Sequence, residues 1–322
     1  MKIRNAIFSI ILSALAYKAN AQAIDNTTSY KNINSEGYFR LNYENDFFSA
    51  TDEYYTQGIN IETVGSFWKK NPVNYILLKP KYDYIRYGLG FQHNGYTPSD
   101  IGHNEILYGD RPFAGTIMLQ SFLIATNTEK HRRFTSSLST GVIGPLAGAG
   151  QMQRDIHKWL NNITPHGWDN QIQNDIILNY QVNYEQQLAA YKKSFLLAAD
   201  GYARAGTLSD KAGVGVTLMF GYFDSPFERT ETKNKHFRIY AYEHPGFNFV
   251  GYDATLQGGF FNKDSPYTIS SGDINRIVFQ NRFGFVVQYQ GFTLEYFQAV
   301  SSREFDTQKM HTWGGIQIAF GL

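Results

Sequence analysis

Two residues four apart, Gln153 and His157, are the best placed in this sequence to do chemistry. They lie in GVIGPLAGAGQMQRDIHKWLNNITPHGWDNQ (141–171), where a strand-like end turns through Gly144-Pro145 into a short amphipathic stretch. On a helix Gln153 and His157 share one face, while Met152, Ile156 and Trp159 share another. Pro165, Gly167 and Trp168 then punctuate a loop. A histidine titrating near neutral pH can serve as a base or as a structural hydrogen-bonding group, and this stretch alone leaves both roles open. A second polar group, Asn45-Asp46 and Thr56, stands in ENDFFSATDEYYTQG (44–58). A His base beside Asp and Asn oxygens suits the activation of water next to a bound hard cation. Each piece also has a plain structural reading. Asn45-Asp46 is turn chemistry, and Asp52 fits the same hairpin. Asp110-Arg111-Pro112 reads as a surface ion pair before an edge strand, and Tyr54 and Tyr55 fit an aromatic belt.

Such residues need a scaffold. Residues 1–21 read as a secretory signal peptide: Lys2 and Arg4, an apolar run over 6–17, then Ala19-Asn20-Ala21. The apolar run is too short to span a bilayer as a helix. No cysteine occurs, which excludes a disulfide scaffold and a lipid-anchored cysteine. A net charge of +1 gives no argument for nucleic acid. Aromatics at 16%, 29 glycines and a mean hydropathy of −0.37 leave a soluble all-β protein or an outer-membrane barrel.

Strict alternation separates these two. Phe39, Leu41 and Tyr43 alternate with Arg40, Asn42 and Glu44, and Ile59 and Ile61 with Asn60 and Glu62. The chain ends with Ile316, Ile318, Phe320 and Leu322 alternating with Gln317, Ala319 and Gly321. Large aromatics persist on the apolar row, as a lipid-facing wall requires, and a terminal strand paired with the first leaves no edge. The pattern predicts an all-β, single-chain antiparallel transmembrane β-barrel over 22–322. Its strands fall near 37–46, 56–65, 83–93, 113–125, 132–144, 177–190, 193–205, 210–221, 236–262, 274–289, 290–301 and 310–322. That is about twelve, with Pro245-Gly246 read as a bulge inside the ninth. The long connections are 94–112, 145–176 and 222–235. With both termini periplasmic, the connections after strands 1, 3 and 5 share the extracellular rim, so the His157 helix is expected in an extracellular loop. By strand phase, Asp46 continues the lumen row of Arg40, Asn42 and Glu44, and Thr56 joins that of Gly58, Asn60 and Glu62. Asn45, Asp46, Thr56, Gln153 and His157 are then expected around one site.

The succession ENDFFSATDEYYTQG, YGDRPFAG (108–115) and TGVIGPLAGAGQMQRDIHKWLNNITPHGWDNQ resembles the outer-membrane lipid A deacylases of the LpxR type. The match is specific over roughly 38–65, 108–120 and 140–175; the C-terminal half resembles that family in strand pattern only. The resemblance implies a twelve-stranded barrel that removes the 3′-acyloxyacyl group of lipid A in a calcium-dependent reaction. It places the family's Asn-Asp pair on Asn45-Asp46 as metal site and its strand Thr on Thr56. The helix Gln and His fall on Gln153 and His157, with His157 as general base. Arg111 is a candidate contact to a lipid A phosphate. The sequence departs from the family before GDRPF, where Ile101-Gly102-His103-Asn104 stand in place of adjacent basic residues. The expected partner is lipopolysaccharide in the outer leaflet, and a monomer embedded in the outer membrane is expected. Two alternatives are weighed against this. A serine-dependent lipid esterase needs a nearby His–Ser pair or a GxSxG elbow, and neither is found. A non-enzymatic barrel would keep the wall without the chemistry.

Overall fold

The computed structural model describes residues 24–49, 53–230 and 236–322. The predicted signal peptide lies outside these. Twelve antiparallel strands close into one barrel in strict sequence order, with the first strand hydrogen-bonded to both the second and the last. They are β1 (Tyr38–Asn45), β2 (Tyr54–Val64), β3 (Tyr84–Thr97), β4 (Ala114–Asn127), β5 (Arg132–Ile143) and β6 (Asp175–Tyr191), then β7 (Phe195–Gly206), β8 (Ser209–Tyr222), β9 (Arg238–Asp253), β10 (Ile277–Tyr289), β11 (Phe292–Ser301) and β12 (His311–Gly321). Two α-helices occur among the described residues, α1 (Ala149–Leu160) between β5 and β6 and α2 (Ala254–Gln257) after β9. Among the described residues no helix is long and apolar enough to cross a membrane. Closure leaves no strand edge without a hydrogen-bonding partner, which is what allows strands to lie in lipid.

The period-2 pattern sorts the side chains as expected. Phe39 and Leu41 are 37% and 40% exposed, whereas Arg40 and Asn42 between them are 1% and 0% exposed. The inner row is tied together by charge: Arg40 to Glu62 at 3.2 Å, Arg282 to Glu44 at 3.2 Å, and Trp313 Nε1 donating to Glu44 at 3.0 Å. Charges taken out of water persist only when paired and hydrogen-bonded in this way.

The lumen holds the chain's own N-terminal segment. Ile24, Asn26, Thr27, Ser29, Tyr30, Lys31 and Ile33 are all buried. Strand side chains grip this segment's backbone: Ser29 N–H donates to Glu185 at 2.7 Å, and Arg133 donates to Thr27 O at 2.8 Å. Arg40 and Arg86 donate to Asn26 O and Ile33 O at 3.0 and 3.1 Å. A segment without secondary-structure partners must find its hydrogen bonds this way to be buried.

Two readings of strand geometry need correction. Pro245-Gly246 is not a bulge: β9 pairs with β10 in unbroken register through both residues. The ladder to β8 lapses opposite His244 and Pro245, where a proline has no N–H to give, and its one register shift falls elsewhere, between Asp210 and Lys211. The strand also ends at Asp253 instead of 262, because α2 begins there, capped by Asp253 accepting from Thr255 N–H at 2.9 Å. The second correction concerns Thr56, whose expected lumen row is broken by a register shift between Tyr55 and Gln57.

Candidate active site on the outer wall

The connections β1–β2, β3–β4 and β5–β6 meet at one rim, as the strand count requires. The site-bearing helix α1 does not cap the lumen. It lies against the outside of the wall. Gly95 of β3 and Gly115 of β4 face each other in register, and Gly115 shares its row with the exposed Leu119. Ala149 rests on both: a Cβ on Gly115 would fall 2.7 Å from the Ala149 Cβ, and one on Gly95 would fall 3.7 Å away. Two glycines opposite each other thus provide the seat. Beneath Gly150, Trp168 would lie 2.7 Å from an added Cβ, and the Trp168 ring packs against Phe113, tilted, at 4.9 Å between centroids. Ile101, Phe113, Ala149 and Trp168 form the small core that anchors the helix. Burying side chains of this size contributes on the order of 1.5–3 kcal/mol each.

The wall-facing residues of α1 are Ala149, Gly150, Gln153 and His157, all buried. The helix ends at Asn161, in the left-handed region at φ 54°, where the Asn162 N–H returns to His157 O at 2.9 Å. Asparagine tolerates that backbone well, and the reversal is what brings Ile163 back over the helix. Ile163 O then lies 2.6 Å from His157 Nδ1. A carbonyl only accepts, so Nδ1 carries the proton and a neutral His157 has its lone pair on Nε2. Gln153 is oriented by the same logic: its Oε1 accepts from Trp168 Nε1 at 2.7 Å. Its Nε2 is therefore a buried donor, without a hydrogen-bond partner among the described residues.

Thr56 bulges out of the β2–β3 register, and its hydroxyl lies 2.7 Å from that of Thr97. Thr97 stands two residues beyond Gly95 on the same outward row. Thr56 therefore joins the floor beneath the helix instead of the lumen row. Asn45 donates to Thr56 O and to Tyr43 OH, and its Oδ1 accepts from Phe47 N–H at 2.7 Å. Asp46 opens a 3-10 turn, Asp46–Ser49, that folds over the outer face, where Phe48 packs beside Gly314 and edge-on to Tyr43 and Tyr296. Asp46 is 1% exposed, and its Oδ2 accepts from Glu53 N–H at 2.5 Å. Partial burial raises the Glu53 carboxyl above its usual range, opposed by Lys309 and reinforced by Asp110.

These residues form a connected series along the rim: Asn45 to Thr56, Thr56 to Thr97, and Thr97 along β3 to the glycine seat of α1. A model of the LpxR family, described as outer membrane protein LpxR, matches residues 7–322. The chain belongs to the LpxR family. Among solved structures, LpxR from Salmonella typhimurium superposes with a TM-score of 0.72 at 18% identity, covering 88% of this chain and 100% of that one. The β domain of the Bordetella autotransporter BrkA follows at a TM-score of 0.44 and 7% identity, covering 89% and 98%, too distant to bear on the argument. No curated protein matches the sequence.

One of the predicted residues takes another place within this LpxR-family barrel. Arg111 is buried, 2% exposed, and is paired with Glu304 instead of Asp110. It donates to Thr255 at 2.7 Å and lies 4.6 Å over the ring of Tyr96, at the mouth of the lumen. That is a lock between three connections, and its guanidinium does not face the seam under α1. Asn45 is placed as a turn residue with its amide oxygen engaged. A calcium ion takes six to eight oxygens, among which carbonyls and waters are acceptable. Asp46 fits as the carboxylate of such a set, and the Asn45 amide oxygen, with one lone pair beyond its bond to Phe47 N–H, fits beside it. The described residues hold no cluster of three or more His, Asp or Glu side chains suited to a metal.

Sequence reasoning missed Gln57, His93 and Thr97 on the floor. His93 Nε2 lies 2.9 Å from Ala147 O, fixing the loop that leads into α1. Gln57 is 1% exposed and its Nε2 lacks a partner among the described residues. The available signal was polarity on an outward row, His93 and Thr97 standing where lipid-facing residues are due.

Proposed function

We propose that this outer-membrane barrel is a hydrolase that removes the 3′-acyloxyacyl chain of lipid A from the outer leaflet. The carrying observation is the position of His157: buried against the outer wall, with Nδ1 committed to Ile163 O. A base there meets substrates arriving from the bilayer and not from the lumen. In the reaction, Nε2 of His157 takes a proton from water as its oxygen attacks the ester carbonyl carbon. The carbonyl electron pair moves onto oxygen, and the donor Nε2 of Gln153 stabilises the charge. Collapse breaks the bond to the sugar oxygen, which recovers the proton from His157. Thr56, held by Thr97, positions the water or the carbonyl. Asp46 would hold part of a calcium ion's oxygen shell, and such an ion would supply positive charge for a carbonyl oxygen. Expression in a host with intact lipid A, followed by mass spectrometry, tests the reading. Loss of an acyloxyacyl unit with the wild type and not with His157→Gln supports it, and unaltered lipid A overturns it.

A further inference from the structure

The helix that carries His157 has three sectors, and the seam accounts for only one. At 3.6 residues per turn, Ala149, Gly150, Gln153 and His157 occupy the wall sector. Gln151, Arg154, Asp155 and Lys158 occupy a polar sector, within which Gln151 donates to Asp155 at 2.9 Å. Met152, Ile156 and Trp159 form the third, about a quarter-turn from the wall. Trp159 is 83% exposed, and beyond the helix Ile163 is 64% exposed. A shallow groove runs along Gly148, Met152, Ile156 and Trp159, with Gln151 and Asp155 along its polar side. An apolar sector on a loop helix has no reason to face water.

We infer that this sector is seated among the acyl chains of the outer leaflet, so that α1 is an interfacial membrane helix and not a solvent-facing loop. Three observations favour lipid as the occupant. The helix rests on outward-facing glycines of the barrel, so it already lies on the lipid side of the wall. The strands beside it carry the apolar belt directly onward, with Leu119, Ile176 and Leu178 at 51%, 63% and 50% exposure. The division into an apolar sector with tryptophan and a polar sector with Arg154 and Lys158 is that of a helix lying in the plane of an interface.

The seating is tested with Trp159 as its own probe. Wild type and Trp159→Phe are reconstituted in phosphatidylglycerol–phosphatidylethanolamine vesicles with and without bromine on the acyl chains, and the difference isolates Trp159. The inference expects blue-shifted emission that loses most of its intensity to bromine. Emission like that of tryptophan in water, unquenched by bromolipid, overturns it. So does blue-shifted emission that bromine does not quench, which would put a protein surface there. Lipid A deacylation is measured separately on the same preparations. Quenching without deacylation keeps the seating and removes the proposed function; deacylation without quenching does the reverse.

Discussion

Trp168 Nε1 donates to Gln153 Oε1 at 2.7 Å, and this one bond decides which end of the glutamine amide can act. With the oxygen committed, the amide nitrogen is the free end. Replacing Gln153 with Ala is expected to cost on the order of a hundred-fold in turnover if that nitrogen serves the oxyanion. Trp168→Phe keeps a ring against Phe113 but frees the amide to flip, and is expected to lower kcat more than it raises KM. Kinetics on lipid A vesicles check both; an unchanged kcat in Gln153→Ala removes the residue from the chemistry.

His157 is expected to act as a base through Nε2, since Nδ1 carries the proton that Ile163 O accepts. His157→Gln should cost on the order of a hundred- to ten-thousand-fold in rate while the barrel keeps its melting temperature. A packing histidine would give the reverse pattern, lost stability with normal turnover in the folded fraction. Both quantities measured on one preparation separate the two roles.

Asp46→Asn tests the metal. A hard cation favours an ionised carboxylate over an amide, so calcium binding measured by calorimetry should weaken while the far-UV spectrum stays that of strands. Full activity of the variant in excess chelator would remove any role for the ion.

Arg111 and Glu304 form a buried pair at the mouth of the lumen, and losing one partner strands a charge. Arg111→Met is expected to destabilise the barrel by roughly 3–5 kcal/mol. Turnover in the folded fraction should be unchanged. If Arg111 instead holds a lipid phosphate, KM for lipid A rises with stability intact, and paired unfolding and kinetic measurements show which occurs.

Deleting residues 24–34 removes the segment that fills the lumen, and is expected to turn a silent barrel into a conducting one in planar bilayers. A deletion variant that folds, shifts on gels with heat and still carries no current would show that the strand side chains alone seal the interior.

The barrel was legible because alternation is local: each strand states its own inside and outside, as Arg40 and Phe39 do. Gln153 and His157 were legible for the same reason, at helical spacing. What stayed hidden depends on relations the sequence does not spell out. The seat of α1 is two absent side chains, Gly95 and Gly115, brought opposite each other by register. The bulge at Thr56 reverses the phase that parity assigns. Arg111 takes its partner from Glu304, 193 positions away. The N-terminal segment has no periodicity, since its hydrogen bonds go to side chains of the wall and not to a neighbouring strand.

That segment is also held from several sides. Arg86 of β3, Arg133 of β5, Glu185 of β6, Tyr240 of β9 and Gln288 of β10 all hold its backbone, while β1 closes on β12. A closed ring of hydrogen bonds has no gap between strands, so residues 24–34, with Lys31 among them, are enclosed on all sides once β1 has joined β12. The wall is wound around its own beginning, and the joining of β1 to β12 is the step that makes the winding permanent.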